Sequence, residues 1–197
     1  MSQPSEQLSS GTSSLGTQPE YNQEERKLLL KIAHESILSL VEKREASVFA
    51  TSQHLSEPRG VFTTLYSNRQ LRGCVGYPAA VLPLYRAVFE TARSAASDDP
   101  RFRPVQIDEA RQLKISISVL SPLRPISAEE IQVGRHGLVI SRGGQRGLLL
   151  PQVAIEHGWD RIRFLEQTCL KAGLPPEAWS AGARIEAFTA EVFGEAG

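Results

Sequence analysis

Residues 71–78, LRGCVGYP, are the stretch that decides the fold of this chain. The segment VFTTLY before it is rich in β-branched and aromatic residues, SNRQ is typical of a turn, and 71–77 return as a second strand, which predicts a β-hairpin. A strand directs alternate side chains to opposite faces of its sheet. One face of the second strand is therefore predicted to be core: Leu71, Gly73, Val75 and Tyr77.

The opposite face of this strand carries Arg72, Cys74 and Gly76. The first two are about 6 to 7 Å apart at their backbones, because a strand rises about 3.3 Å per residue. A fixed cation favours the thiolate, which is the nucleophilic form of cysteine, and Gly76 is predicted to leave room for a ligand to approach closely. The alternative is structural: the glycines mark a bulge or a twist, Arg72 pairs with an acid, and Cys74 is an inert packed thiol.

The segment SDDPRFRP follows a predicted helix and bears on the same choice. Asp98 and Asp99 lie at the C-terminal end of that helix, where each negative charge is unfavourable by about 0.3 to 1 kcal/mol. Arg101 and Arg103 are the nearest groups that could compensate this charge. Either these residues form a surface ion-pair cluster, or Asp99 and Arg101 line a polar cleft in which Phe102 anchors the loop.

Regular periodicity predicts further elements on both sides of this region. The predicted helices span 23–45, 82–97, 151–158 and 160–172, and the predicted strands include 113–121 and 183–193. A hairpin followed by a helix occurs twice, and in both places an Arg-Gly pair stands shortly before a proline, in QLRGCVGYP and in GQRGLLLPQ. This recurrence raises the hypothesis of two similar lobes.

Composition limits the classes of function. The chain has 197 residues, with 22 Lys and Arg against 22 Asp and Glu, and this balance argues against a nucleic-acid binder held by bulk charge. The four histidines show no paired ligand spacing, so we expect no metal site. Residues 1–22 are rich in Ser and Gln and are predicted to be a disordered tail before a single domain at 23–197.

The cysteines and the hydropathy pattern indicate where the protein works. Cys74 and Cys169 are far apart in sequence, and neither belongs to a C-x-x-C motif. No apolar stretch reaches the roughly 20 residues that a membrane helix needs. We therefore expect a cytoplasmic protein with both thiols reduced and no contact with a membrane. Cys169 falls on the apolar stripe of a predicted helix, so it is interpreted as a buried small hydrophobe.

Six segments occur in the order LRGCVG, DPRF, SISVLS, HGLVI, GLLLPQVA and FLEQTCLKAGL. Together they resemble the AMMECR domain family, the A component of the AmmeMemoRadiSam system, over about residues 24 to 194. The family's central signature is Leu-Arg-Gly-Cys-Ile-Gly, and here Val75 stands in place of the isoleucine, which is a swap of similar volume.

The resemblance implies an α+β fold of two unequal lobes, built on β-hairpins and a mixed or antiparallel sheet flanked by helices, with the signature strand bordering a cleft between the lobes. It also implies a set of cleft residues: Arg72, Gly73, Cys74 and Gly76 from the signature, Asp99, Arg101 and Phe102 from DPRF, and Pro151 and Gln152 from LLLPQV. Bacterial and archaeal members are associated by gene context with a radical-SAM enzyme and a Memo-type partner, and no cofactor is assigned.

Two functions follow from these residues. In the first, the protein is an accessory or substrate-handling component that binds a small or anionic group in the interlobe cleft. In the second, it is an enzyme in which Cys74 is the nucleophile and Arg72 and Arg101 hold an anion. The second function needs a general base, and His136 or His157 can serve only if the fold brings one of them to Cys74.

Overall fold

The computed structural model describes residues 19–49 and 52–195, which contain five α-helices and eight β-strands. The helices are α1 (Gln23–Val41), α2 (Leu84–Ser97), α3 (Ile107–Ala110), α4 (Pro151–Glu156) and α5 (Arg161–Lys171). The strands are β1 (Gly60–Ser67), β2 (Gln70–Tyr77), β3 (Lys114–Leu120), β4 (Arg124–Pro125), β5 (Gly137–Arg142), β6 (Gln145–Leu149), β7 (Arg184–Phe188) and β8 (Ala190–Gly194). Both predicted hairpins are present, and α1 ends at Val41 instead of 45, shortly before Lys43 adopts a left-handed φ of 52°.

The strands form two sheets of four, and every pairing is antiparallel. The first sheet has the order β2-β1-β3-β8 and packs against α1 and α2, whereas the second has the order β4-β7-β5-β6 and packs against α5. The predicted α+β class is therefore confirmed, and both sheets take the antiparallel alternative.

The chain exchanges one strand between the sheets in each direction. It passes from β3 in the first sheet to β4 in the second, and from β7 in the second sheet to β8 in the first. The sequence predicted one continuous strand over 183–193, which is wrong. Thr189 interrupts it, because its backbone N–H bonds the Ser121 hydroxyl at 3.0 Å and its carbonyl accepts the Ser121 N–H at 2.9 Å.

The two sheets share one topology. In each, a hairpin occupies one edge, a helix follows it, the next strand pairs with the first strand of the hairpin, and the fourth position is filled by the exchanged strand. The two Arg-Gly pairs lie at equivalent places: a Cβ at Gly73 would lie 2.1 Å from the carbonyl oxygen of Ala95, and a Cβ at Gly147 would lie 2.3 Å from the amide nitrogen of Ala172. Both glycines thus allow a strand to touch the helix that covers its sheet.

Each sheet has its own hydrophobic core. The first core includes Leu65 and Ile117 with the inner faces of α1 and α2, and the second includes Ile140 and Phe164. Cys169 is fully buried in the second core, which confirms its interpretation as a packed hydrophobe. A smaller third cluster joins the sheets: its buried members are Leu120, Val139 and Phe188, and Phe62, Leu148 and Leu150 pack against it.

Strand β2 departs from simple alternation at one residue. The β1–β2 register passes from Leu65 opposite Gly73 to Tyr66 opposite Leu71, so Arg72 is the extra residue of a β-bulge. Gly73, Val75 and Tyr77 belong to the face covered by helices, as predicted, but Leu71 is 41% exposed. The predicted core position of Leu71 is therefore wrong, because it lies beyond the bulge near the turn.

The predicted tail meets the folded domain at its last four residues. Residues 1–18 lie outside the described part of the chain, but Tyr21 is buried and its ring stacks on His54 with centroids 4.7 Å apart. Asn22 caps α1 in a capping box with Glu25. The domain therefore includes residues that precede the boundary drawn at 23.

Candidate functional site

The signature strand lies at an open edge of the first sheet. β2 pairs only with β1, so its other side presents backbone groups that no strand of that sheet satisfies. The backbone N–H of Cys74 donates to Oδ2 of Asp99 at 2.8 Å. Asp99 follows α2 and is only 4% exposed. The segment DPRF therefore covers the edge of β2 and brings two of the predicted motifs together.

Asp99 also holds Arg101. Its Oδ1 accepts the backbone N–H and the Nε–H of Arg101 at 3.1 and 3.0 Å, and its Oδ2 accepts Nη2–H at 2.7 Å. The Arg101 guanidinium, helped by the N–H groups of Cys74 and Arg101, holds the pKa of the Asp99 carboxyl well below its usual range. The pKa of Arg101 is raised, first by its hydrogen bonds to Asp99.

Arg72 is held by an acid, which is the structural alternative that the sequence left open. Its Nε and Nη2 donate to the two carboxylate oxygens of Glu109 at 2.5 and 3.0 Å, and Nη2 also donates to the carbonyl of Arg103 at 2.9 Å. The guanidinium carbons of Arg72 and Arg101 lie 5.8 and 5.5 Å from the centre of the Phe102 ring. Phe102 thus contacts both cations, and each cation is already paired with a carboxylate.

We call Arg72, Cys74, Asp99, Arg101 and Phe102 the signature cluster. The Cys74 thiol is half-buried, and its Sγ accepts a hydrogen bond from Oγ1 of Thr64, its partner on β1, at 3.3 Å. Sequence reasoning missed Thr64 and Glu109. The alternation of β1 placed Thr64 on one face of that strand, but no local pattern linked Glu109 to Arg72.

The two signature glycines serve packing. Gly73 faces α2. On the face that Gly76 shares with Cys74, the ring of Phe62 covers Gly76. A Cβ at Gly76 would lie 2.3 Å from Cδ1 of Phe62 and 2.6 Å from the carbonyl oxygen of Val61. The prediction that Gly76 leaves room for a ligand is therefore wrong, because the ring of Phe62 occupies that space.

The remaining predicted residues lie in the second half of the chain. Pro151 is buried at the start of α4, and Gln152 beside it is exposed. His136 is buried, with burial as the first cause that lowers its pKa, and it accepts the backbone N–H of Gln132 at 3.2 Å. His157 stacks on Trp159. Among the described residues, no hydrogen bond or ion pair joins any of these groups to the signature cluster.

A cavity of about 610 Å³ opens between the two sheets, and we call it the intersheet cavity. It is lined by Phe62, Pro78 and Ala79 from the first half and by Arg146, Gly147, Leu148, Leu149, Leu150, Val153 and Lys171 from the second. The described lining residues do not include the signature cluster, although Phe62 pairs with Gly76, two residues from Cys74 on β2.

Two cations stand in the wall of this cavity. Arg146 and Lys171 are both exposed, and neither side chain forms a hydrogen bond or ion pair with any residue in the ranges 19–49 and 52–195. Sequence reasoning noted the Arg-Gly pair at 146 and 147 but assigned it no role in binding. The available signal was its equivalence to the pair at 72 and 73.

The described residues contain neither a metal-binding cluster nor a membrane-spanning helix. Within the described ranges, no three His, Cys, Asp or Glu side chains converge as a metal site would require. The helices in this part of the chain are all too short or too polar to span a bilayer.

The two-sheet α+β fold, with an arginine, a cysteine and an acidic loop at the edge of a hairpin, defines an AMMECR-type domain. A family model described as AMMECR1 matches residues 30–193, so the chain belongs to the AMMECR1 family. It is 44% identical to protein MK0488 of Methanopyrus kandleri over 87% of this chain and 89% of that protein. It is 46% identical to protein MJ0810 of Methanocaldococcus jannaschii over 71% of this chain and 75% of that protein.

A solved structure has the same fold. The crystal structure of protein PH0010 from Pyrococcus horikoshii superimposes with a TM-score of 0.74 at 40% identity, covering 85% of this chain and 89% of that one.

Proposed function

We propose that this protein is a cytoplasmic accessory component of a modification system that contains a radical-SAM enzyme and a Memo-type protein, and that it handles a substrate by binding a small anionic group between its two sheets. The observation that carries the proposal is the intersheet cavity with two cations, Arg146 and Lys171, whose side chains have no partner within the described part of the chain. Membership of the AMMECR1 family supports the choice of system, and two free cysteines fit a reducing compartment.

The signature cluster also favours binding over independent catalysis. A cysteine nucleophile is activated by an adjacent base or by an uncompensated cation beside it, and the neighbour that bonds the Cys74 sulfur is the hydroxyl of Thr64. Arg72 and Arg101 are each paired with a carboxylate, so their charge is largely compensated before any ligand arrives. We therefore assign the cluster to fastening the edge of β2.

The test uses purified radical-SAM and Memo-type proteins from the same organism. We expect this protein to form a stable complex with at least one of them, measured by sedimentation, and to change the rate at which the radical-SAM enzyme releases 5′-deoxyadenosine. Cys74→Ser is expected to stay within about twofold of the wild type in both measurements. Absence of both a complex and a rate change contradicts the proposal.

One observation favours a second candidate, a cysteine-dependent enzyme. Cys74 is partly accessible, and the carboxylate that accepts its backbone N–H also holds the Arg101 guanidinium; a thiol near a cation is in the type of setting in which thiols are reactive. In that case Cys74→Ser abolishes the activity of the reconstituted system while the fold and the complex are retained. That outcome selects the enzyme over the accessory role.

A further inference from the structure

We infer that the intersheet cavity takes an amphiphile with a single anionic headgroup: an apolar chain or ring that ends in one carboxylate or phosphate. The inference rests on the proposed function only in placing the ligand in this cavity, and it adds the chemical class of that ligand. It follows from the walls of the cavity, from the two cations beside them and from the absence of an acidic side chain among the described residues that line it.

The walls are apolar on both sides. Phe62 of β1, with Pro78 and Ala79 just after β2, lines one side, and a continuous run of leucines at the end of β6, Leu148–Leu150, lines the other. These leucines are only partly buried. A volume of about 610 Å³ falls within the usual range of about 300 to 1,000 Å³ for small-molecule sites. Burying an apolar body here removes both walls from water, which favours binding by roughly 25 cal/mol per Å².

The two cations lie on elements that pack against each other, Arg146 on β6 and Lys171 at the end of α5. Arg146 and Gly147 are neighbours on β6, and the Cβ position of Gly147 lies within 2.7 Å of the backbone of Lys171 and Ala172 at the end of α5. Gly147 faces α5, so alternation places Arg146 on the other face of β6, and both Arg146 and Lys171 nevertheless line the same cavity. A single anionic group at this end of the cavity can accept hydrogen bonds from both.

A comparison of the two sheets supports an anion-binding role for Arg146. Arg72 and Arg146 each precede the glycine that packs against a helix, Gly73 or Gly147. Arg72 is neutralised by two hydrogen bonds to Glu109. Arg146 has no such partner within the described residues. The arginine before the packed glycine is thus held by an acid at the bulge of β2, whereas on the regular strand β6 it is available to an anion.

The lining excludes several other classes of ligand. A nucleotide base brings donors and acceptors that apolar walls leave unsatisfied, which is costly. A free amino acid brings an ammonium group, and none of the described residues that line the cavity has a carboxylate side chain to receive it. A cationic amphiphile meets Arg146 and Lys171 with like charge. A ligand with an apolar body and one terminal anion matches both the apolar walls and the two cations.

The experiment titrates the full-length protein by calorimetry with four probes of equal chain length, all below their micellar concentrations: octanoate, octyl phosphate, octanol and octyltrimethylammonium. We expect octanoate, octyl phosphate or both to bind, and the better of the two identifies the anion. Octanol and octyltrimethylammonium are expected to bind at least tenfold more weakly. Raising the salt concentration should weaken the anions and leave octanol unchanged.

Variants locate the site. Arg146→Gln and Lys171→Gln should each weaken the bound anion about tenfold, as expected for a lost hydrogen bond to a charged group. Their matched controls are Arg142→Gln on the same hairpin and Lys31→Gln on α1, which lie outside the cavity lining. Both controls should bind like the wild type.

A third variant tests the walls. Val153→Trp should fill the cavity and abolish binding, whereas Ile155→Trp on the same helix is the control, since Ile155 is 61% exposed and lies outside the lining. Both variants are checked for folding by urea denaturation, and Arg146→Gln, an exposed substitution, keeps the test valid if Val153→Trp does not fold.

The outcomes separate this inference from the proposed function. Binding of no probe, equal binding of all four, or anion binding that survives both Arg146→Gln and Lys171→Gln overturns the inference, even if the complex with the radical-SAM or Memo-type protein forms. Selective anion binding that these variants weaken supports it, even if no such complex forms.

Discussion

The backbone N–H of Cys74 and the guanidinium of Arg101 share one carboxylate, that of Asp99, whose Oδ2 lies 2.8 Å from the Cys74 nitrogen. This single acid therefore ties the edge of the first sheet to the loop that follows α2. An unsatisfied strand edge is a template for pairing with another chain. The contact closes that edge at the residue that looked most reactive in the sequence.

Loss of this acid should destabilise the fold. Asp99→Ala leaves the Cys74 N–H and the Arg101 guanidinium without their acceptor, so we expect the free energy of unfolding to fall by about 2 to 4 kcal/mol. Urea denaturation at pH 7 measures it. Asp98→Ala is the control, because Asp98 is exposed and accepts only the Ser97 hydroxyl. Equal midpoints for the two variants would show that the contact contributes no stability.

The same acid predicts a dependence on pH. The pKa of Asp99 is lower in the folded protein than its unfolded value of about 3.9. Its contribution to stability is therefore complete above about pH 4 and is lost as the pH falls towards the folded-state pKa. Asp99→Asn cannot titrate. We expect the difference in unfolding free energy between wild type and Asp99→Asn to shrink between pH 5 and pH 3, and a constant difference contradicts this account.

The glycines at the two strand–helix contacts should be equally intolerant. Gly73→Ala places a methyl group against the carbonyl of Ala95, and Gly147→Ala places one against the backbone of Ala172. Because neither backbone can yield without moving a helix, each variant should lose about 2 to 4 kcal/mol of unfolding free energy. Gly144→Ala, whose Cβ position has nothing within 4 Å, is expected to be within about 0.5 kcal/mol of the wild type. Similar midpoints for all three would remove the basis for the two equivalent contacts.

Gly76 and Phe62 should be energetically coupled. Gly76→Ala brings a methyl group into the Phe62 ring, so it should destabilise the wild type by about 1 to 3 kcal/mol. In a Phe62→Ala background most of this loss should disappear, and the part due to the Val61 carbonyl should remain. A double-mutant cycle by urea denaturation measures the coupling, expected to be at least about 1 kcal/mol. Strict additivity would mean that the ring does not cover Gly76.

The two cysteines should differ in accessibility. Cys74 is half-buried, whereas Cys169 is fully buried and burial is the first cause that raises the pKa of its thiol. Iodoacetamide should therefore modify Cys74 in the native protein and reach Cys169 only in urea. Mass spectrometry of digested samples over time distinguishes the two sites. Rapid native modification of Cys169 would contradict the packing of the second core.

Local patterns in the sequence predicted the hairpins, the main helices and the buried position of Cys169, because turn residues and apolar periodicity act over a few residues. They also located the signature cluster, since its members lie in two short motifs. Contacts between residues distant in sequence could not be predicted from such local patterns. Glu109 reaches Arg72 across 37 residues, and Ser121 interrupts the last strand at Thr189 across 68.

The same limit explains the error at Gly76. A glycine in a strand indicates that something approaches closely, but the sequence does not say whether this is a ligand or a side chain of the protein. Here it is the ring of Phe62, from the paired strand. The cavity residues Arg146 and Lys171 were missed for a related reason. They line one cavity because β6 packs against α5, a contact between segments distant in sequence.

The strand exchange also has a consequence for biosynthesis. The outer edge of β3 is covered by β8, which follows all four strands of the second sheet in the chain. Because the ribosome delivers the chain from its N-terminus, the first sheet stays one strand short until the whole second sheet and β8 have been synthesised. A nascent or prematurely terminated chain therefore exposes the edge of β3, and it is a target for chaperones and proteases that the finished protein is not.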